Sequence, residues 1–230
     1  MQRLKFSFFR GEKLKFISHL EIMRLLQRAL RRADIPVACS EGFNPQPRLS
    51  IAAPLPVGVT AANEPVEVFL WEKISPAELV QKVNSCLPNG FFINRAEEAL
   101  EDEPPLMQVV DAALYRGYPL MEKIKLPAGD LHRGVEKISN REELIVERKG
   151  KKGPRQINLR PYIYNLKLAE DERGNVELKM FLKTGSQGGA RPGEVVRTLS
   201  EWSDSSQLPH WLQLHREGLY RRGREAWEQL

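Results

Sequence analysis

Apolar and polar residues alternate at the start of the chain and then change to a helical spacing. Residues 3–8 alternate strictly, which is the pattern of a half-buried strand. Between 19 and 33 the apolar residues recur at three and four positions, which predicts an amphipathic helix. Ser18, with Glu21 three positions later, is typical of a capping box at the helix start. Pro36 ends the helix because proline disfavours helical geometry in the residue before it.

The first hundred residues follow the order β-α-β-β-α-β. After the first strand and helix, the pattern predicts strands at 48–53, 66–70 and 91–94 and a second helix at 75–87. Two helices on one side of an antiparallel sheet form the ferredoxin-like arrangement. We therefore predict a ferredoxin-like domain in this part of the chain.

The acidic and proline-rich residues 99–107 predict a linker between a domain at 1–98 and a second domain at 108–230. The second domain is expected to repeat the same order of elements. Its predicted strands lie near 109–115, 144–147, 162–168, 176–182 and 211–215, and its helices at 129–138 and 192–202. The predicted fold class is α+β, with two tandem ferredoxin-like (βαββαβ) domains and antiparallel sheets.

Composition excludes several classes of protein. The chain has 230 residues, a net charge of +5 and no apolar run long enough to span a membrane. Its first residues lack the apolar centre of a signal peptide, so a cytoplasmic protein without membrane contact is expected. Cys39 and Cys86 are far apart and form no metal-binding motif. We expect neither a metal nor a cofactor.

The predicted first helix carries an unusual concentration of arginine. No acidic residue lies between Glu21 and Asp34 to neutralise it, and a further arginine, Arg48, follows in a proline-rich loop. These arginines form either an ordinary solvated surface or a site for nucleic-acid phosphates. The candidate phosphate-binding residues of this region are Arg24, Arg28, Arg31, Arg32 and Arg48.

Residues 18–58, SHLEIMRLLQRALRRADIPVACSEGFNPQPRLSIAAPLPVG, resemble a bacterial domain family of unknown function that is linked to radical-SAM proteins. The resemblance continues through 157–163 (INLRPYI), 184–188 (TGSQG) and 191–192 (RP). It implies a radical-SAM protein as partner, but no reaction for this chain. The residues of the family motif are Ser18, His19, Ser40, Gly42, Phe43, Asn44 and Pro45.

A glycine-rich segment at 184–191 joins a predicted strand to a predicted helix. Backbone amides that converge at a helix N-terminus can hold a phosphate, although a flexible connection is the simpler interpretation. The arrangement is similar to that of CRISPR-repeat endoribonucleases, which carry tandem ferredoxin-like domains and a glycine-rich loop. The candidate phosphate-binding residues here are Lys183, Gly185, Gly188 and Arg191. The basic residues between 148 and 155 form a further possible phosphate contact.

Three hypotheses about function follow. The leading one is an RNA-binding accessory protein, without catalysis of its own, that acts with a radical-SAM enzyme in tRNA or rRNA modification or processing. The second is a metal-independent endoribonuclease in which His19 is a candidate general base. The third is a protein adaptor that binds the radical-SAM partner without contacting RNA.

Overall fold

The computed structural model describes residues 1–100, 102–121, 126, 128–150, 153–170, 175–185, 187–203 and 208–230. The chain divides into two compact units. The first unit comprises Met1–Asp111 and Arg216–Leu230, and the second comprises Ala112–His215.

The elements follow one another in three groups along the chain. The first group is β1 (Gln2–Arg10), α1 (His19–Arg32), β2 (Leu49–Ile51), β3 (Val59–Leu70), α2 (Pro76–Asn84), β4 (Phe91–Glu98) and α3 (Leu106–Val109). The second is β5 (Ala112–Pro119), α4 (Ala128–Ser139), β6 (Ile145–Gly150), β7 (Gly153–Asn158), β8 (Ile163–Glu170), β9 (Val176–Lys183), α5 (Pro192–Trp202) and α6 (Leu208–Trp211). The last is β10 (Leu212–Arg222), which runs from the second unit into the first, and β11 (Trp227–Gln229).

In the first unit, β1 lies between β4 and β3 and pairs antiparallel with both. The short β2 also pairs antiparallel with β3. On one face of this sheet Leu4, Phe8 and Val68 are completely buried, and the ring of Phe8 stacks on Phe91 at 4.6 Å. Helix α2 packs against β4 and contacts α1, so both helices cover this face. Burial of this apolar face against two helices supplies the core of the unit.

The opposite face of the same sheet is polar and is partly covered by the chain after β4. Lys5 donates to the carboxylate of Glu103 at 2.6 Å, and Leu106 is 4% exposed. The guanidinium of Arg3 donates to the backbone carbonyls of Glu103 and Pro104. Residues 99–107, predicted to form a linker, therefore include several that are held on the sheet of the first unit.

In the second unit, β9 pairs antiparallel with both β5 and β8. Met180 and Leu182 of β9 are completely buried. Helices α4 and α5 pack closely, because a Cβ at Gly134 would lie 2.7 Å from a side-chain carbon of Leu199. Strands β6 and β7 form a separate two-stranded sheet. The strand predicted near 144–147 therefore exists, and among the described residues it pairs with β7 of its own hairpin.

An α+β fold with mainly antiparallel strands is confirmed. The tandem of two ferredoxin-like domains remains a prediction. The compact units differ from the predicted 1–98, 99–107 and 108–230, because residues 216–230 lie with the first unit. No helix in the described part of the chain is long and apolar enough to cross a membrane.

Candidate nucleic-acid interface

The start of α1 has the capping geometry that the sequence predicts. The backbone amide of Glu21 donates to the Ser18 hydroxyl at 3.3 Å, and the Ser18 amide donates to the Glu21 carboxylate at 2.6 Å. These hydrogen bonds from Ser18 hold the pKa of Glu21 below its usual value. The predicted capping box is confirmed, and it fixes where the helix begins.

Helix α1 has one buried and one basic face. Its buried face consists of Ile22, Leu26, Ala29 and Leu30. Its predicted phosphate-binding residues, Arg24, Arg28, Arg31 and Arg32, are all exposed, and none forms an ion pair with a residue that the structure describes. With a rise of about 1.5 Å per residue, Arg24 and Arg31 are separated by roughly 10 Å along the helix axis. This arginine face of α1 is therefore a row of unneutralised cations in water.

The loop at 40–46 is closed at its base and exposed at its tip. The Ser40 hydroxyl accepts from the Gln46 amide at 3.0 Å, and the Ser40 amide donates to the Gln46 carbonyl at 2.8 Å. Gly42 has a φ of +115°, a conformation that favours glycine. The side chains of Phe43, Asn44 and Pro45 are exposed, Phe43 fully. This motif loop therefore presents an aromatic ring to solvent.

Arg48 lies apart from the arginine face of α1. Its guanidinium stacks on the ring of Phe69 at 4.0 Å, and Arg3 also approaches that ring. Phe69 projects from the sheet face opposite that of Val68, whereas α1 covers the Val68 side. The five arginines predicted to bind phosphate are thus divided: four lie on the helix, and Arg48 lies on the other side of the sheet.

A buried cluster that the sequence analysis missed lies beside His19. Arg216 donates from Nε to Glu64 at 2.7 Å and from Nη2 to the second carboxylate oxygen, and both side chains are buried. Arg10 is also completely buried, and burial lowers its pKa to about 10 while Glu64 raises it. The sequence did indicate a buried position for Arg10, because strand periodicity places this residue on the same face as Leu4 and Phe8.

The two buried arginines hold the loop between β2 and β3. Arg216 donates to the carbonyls of Ala53 and Pro54, each at 3.1 Å. Arg10 donates to the carbonyl of Pro56 in the same loop and to that of Val59 at the start of β3, and also to that of Ile17 before α1. These hydrogen bonds tie the proline-rich loop to the segment that precedes the arginine helix.

His19 occupies the first turn of α1 near this cluster. Its Nδ1 is buried and has no hydrogen-bond partner among the described residues. Burial, and then the positive charge of Arg216, lowers the pKa of His19 below 6.5. The imidazole is therefore neutral at physiological pH, as a general base must be, but no described side chain positions it for catalysis.

The glycine-rich loop belongs to the second unit. Gly185 and Gly188 have φ values of +107° and +90°. A Cβ at Gly189 would lie 2.2 Å from the Lys183 carbonyl, so only glycine fits there. The amide of Gly188 donates to the Gly185 carbonyl at 3.3 Å, and that of Ala190 to the Lys183 carbonyl at 3.2 Å. The loop thus uses some of its amides to hold its own shape.

Charges near this loop are already partly paired. Arg148 donates to Glu194 through Nε at 2.8 Å and through Nη2 at 2.6 Å, and its Nη2 also donates to the Gly189 carbonyl. Glu194 also accepts from the Arg191 amide at 3.3 Å, at the start of α5. Arg148 is therefore a buried tether for the loop and is not part of an exposed basic tip. Ser186, Lys151 and Lys152 of the predicted sites lie outside the described residues.

Two findings from known proteins complete this description. No curated protein matches the chain significantly. Residues 3–192 match the family described as "uncharacterized protein conserved in bacteria (DUF2344)". The expected membership of a bacterial family is confirmed, whereas its link to radical-SAM proteins remains a prediction. Because the match covers most of the chain, this protein belongs to the bacterial DUF2344 family.

Proposed function

We propose that this chain is an RNA-binding accessory protein of the bacterial cytoplasm, acting with a radical-SAM enzyme in tRNA or rRNA modification or processing. The observation that carries the RNA part is the arginine face of α1, where four exposed guanidiniums have no ion-pair partner among the described residues. Such a row favours phosphates of any sequence, since backbone contacts position a protein without reading bases. The radical-SAM partner rests on the family resemblance alone, which covers residues 18–58, 157–163, 184–188 and 191–192.

The fold supports the same proposal in part. In the first unit β1 pairs antiparallel with β4 and β3, and β2 pairs antiparallel with β3, which supports the proposed ferredoxin-like domain. RNA-recognition motifs bind RNA on a four-stranded sheet. The partner enzyme would perform the chemistry, and this chain would hold the RNA.

The test is a binding assay with bulk tRNA and with ribosomal RNA. We expect Arg24, Arg28 and Arg31 changed together to Gln to weaken binding at least tenfold, because three phosphate contacts are lost. The matched control removes three exposed cations outside α1, Lys73, Arg197 and Arg224. Equal affinities of the two folded triple variants would refute the proposal.

A second candidate function is an adaptor that binds the radical-SAM protein without RNA. The observation that favours it is the fully exposed ring of Phe43 at the tip of the motif loop. Exposed aromatic side chains often anchor protein interfaces. Co-purification of a radical-SAM protein that survives nuclease and high salt, and is lost in Phe43→Ser, would favour the adaptor over the RNA-binding protein.

A further inference from the structure

The polar face of the first unit's sheet has a defined arrangement of charges. Across the strands, Ser7 of β1 lies opposite Arg95 of β4 and opposite Pro65 of β3. Directly opposed residues on one face of an antiparallel pair have Cβ atoms about 5 Å apart. Two residues earlier, Lys5 lies opposite Glu97 in the same way. Hydroxyl, guanidinium, ammonium and carboxylate groups are therefore neighbours on this face.

A cavity of about 230 Å³ lies over this part of the sheet. At about 30 Å³ per water molecule, this is the volume of roughly seven or eight waters. It is smaller than most drug-sized pockets, which start near 300 Å³. Its polar lining includes Lys5, Ser7, Arg95, Glu97, Glu103, Arg221 and Gln229. The cavity therefore suits a small polar molecule.

Most of the charged side chains that line the cavity already form ion pairs with neighbouring residues. Lys5 contacts Glu103 at 2.6 Å and Glu97 at 3.6 Å. The Nε of Arg221 contacts Glu228 at 2.7 Å. The hydrogen bond from Lys5 also lowers the pKa of Glu103, so this carboxylate is ionised at neutral pH. The Lys5 ammonium thus contacts both carboxylates of the lining.

The Ser7 hydroxyl and the Arg95 guanidinium are donors in the lining, and their residues lie directly opposite each other on neighbouring strands. Ser7 is 4% exposed, and its Oγ is buried without a hydrogen-bond partner in the described residues. Arg95, directly opposite, forms no ion pair or side-chain hydrogen bond with any residue that the structure describes. Because buried polar groups in proteins nearly always have a partner, an unpaired hydroxyl that lines a cavity indicates an external one.

We propose that this cavity binds a small ligand through an oxyanion, a carboxylate or phosphate group, received by the Ser7 hydroxyl and the Arg95 guanidinium. The guanidinium offers parallel N–H groups that match the two oxygens of such an anion. The buried hydroxyl of Ser7, which also lines the cavity, adds a third donor. This site uses neither the arginine face of α1 nor the motif loop. The proposed anion site is therefore independent of the RNA proposal.

The test is a titration of the full chain with sodium phosphate and, separately, sodium acetate at constant ionic strength, followed by amide NMR. We expect saturable shifts at the amides of Ser7 and Arg95. Saturation by phosphate alone would assign a phosphate ligand, and saturation by acetate would assign a carboxylate. Shifts at neither residue, or shifts that rise linearly with concentration for both salts, would overturn the proposal.

Matched variants separate this site from general anion attraction. We expect Arg95→Gln and Ser7→Ala each to weaken the saturating anion by about tenfold, the effect of one charge-assisted hydrogen bond. Arg28→Gln removes an exposed arginine from α1 and is expected to leave this affinity unchanged. A loss of anion binding in Arg28→Gln with none in Arg95→Gln would refute the assignment, while retained RNA binding in Arg95→Gln would confirm that the two sites are separate.

Discussion

Arg216 in β10 forms a bidentate, fully buried ion pair with Glu64 in β3, 152 positions earlier in the chain. Arg216 also binds two carbonyls of the loop that follows β2. The pair therefore holds the last long strand and this loop to the centre of the first unit. A buried ion pair is sensitive to the loss of one partner, since the remaining charge stays in a poorly polarisable interior.

We expect Arg216→Met to lower the free energy of unfolding by about 3–5 kcal/mol, because Glu64 is left buried and unpaired. The double variant Glu64→Leu with Arg216→Met is expected to lose less than the sum of the two single variants. Urea unfolding followed by tryptophan fluorescence measures this coupling. Strictly additive losses would show that the two side chains act independently.

His19 is predicted to make the protein sensitive to mild acid. Its folded pKa lies below 6.5, so the unfolded chain binds the proton more readily. The contribution of His19 to stability is therefore fully present above pH 6.5 and is lost as the pH falls toward the folded pKa.

An NMR titration of the imidazole is expected to give a midpoint below 6.5 for His19. In the variant His19→Gln, the melting temperature should fall less between neutral and mildly acid pH than in the unchanged chain. A midpoint at or above 6.5 would contradict both expectations.

Two glycines near the start of α5 are expected to respond in opposite directions. Gly189→Ala places a Cβ against the Lys183 carbonyl, so we expect a loss of about 1–3 kcal/mol from overpacking. Gly193→Ala, in the first turn of α5, meets no atom within 4 Å and removes backbone freedom from the unfolded chain. It is expected to stabilise by about 0.5–1 kcal/mol. Thermal unfolding measures both, and similar effects of the two variants would contradict this account.

The RNA proposal also predicts a particular dependence on salt. Each phosphate contact contributes about 0.7–0.9 to the slope of log affinity against log salt. Changing Arg24, Arg28 and Arg31 to Gln should therefore reduce the slope by about 2–3. An unchanged slope in that variant would mean that other cations contact the RNA, even if its affinity falls.

Local features of the chain were predictable because local forces decide them. The start of α1 follows from the hydrogen-bonding of Ser18 and Glu21, and its buried face follows from helical periodicity. The exposure of Arg24, Arg28 and Arg31 follows from the same periodicity. The alternation in β1 likewise identified the strand and its apolar face.

The pairing of charges was decided by tertiary structure. The sequence predicts Arg148 as one of several exposed cations. In the structure it is buried against Glu194, 46 positions later. Glu64 and Arg216 have no sequence pattern in common, because the contact between them exists only once β3 and β10 have been folded together.

On the polar face of the sheet, too, local sequence decided some features and tertiary structure decided others. Sequence alone determined that Lys5 and Ser7 point away from the apolar face of β1, since successive side chains in a strand alternate. Only strand register placed Arg95 opposite Ser7 and left a cavity beside them. Periodicity depends on neighbours along the chain, whereas a site depends on which distant residues the fold brings within a few ångströms.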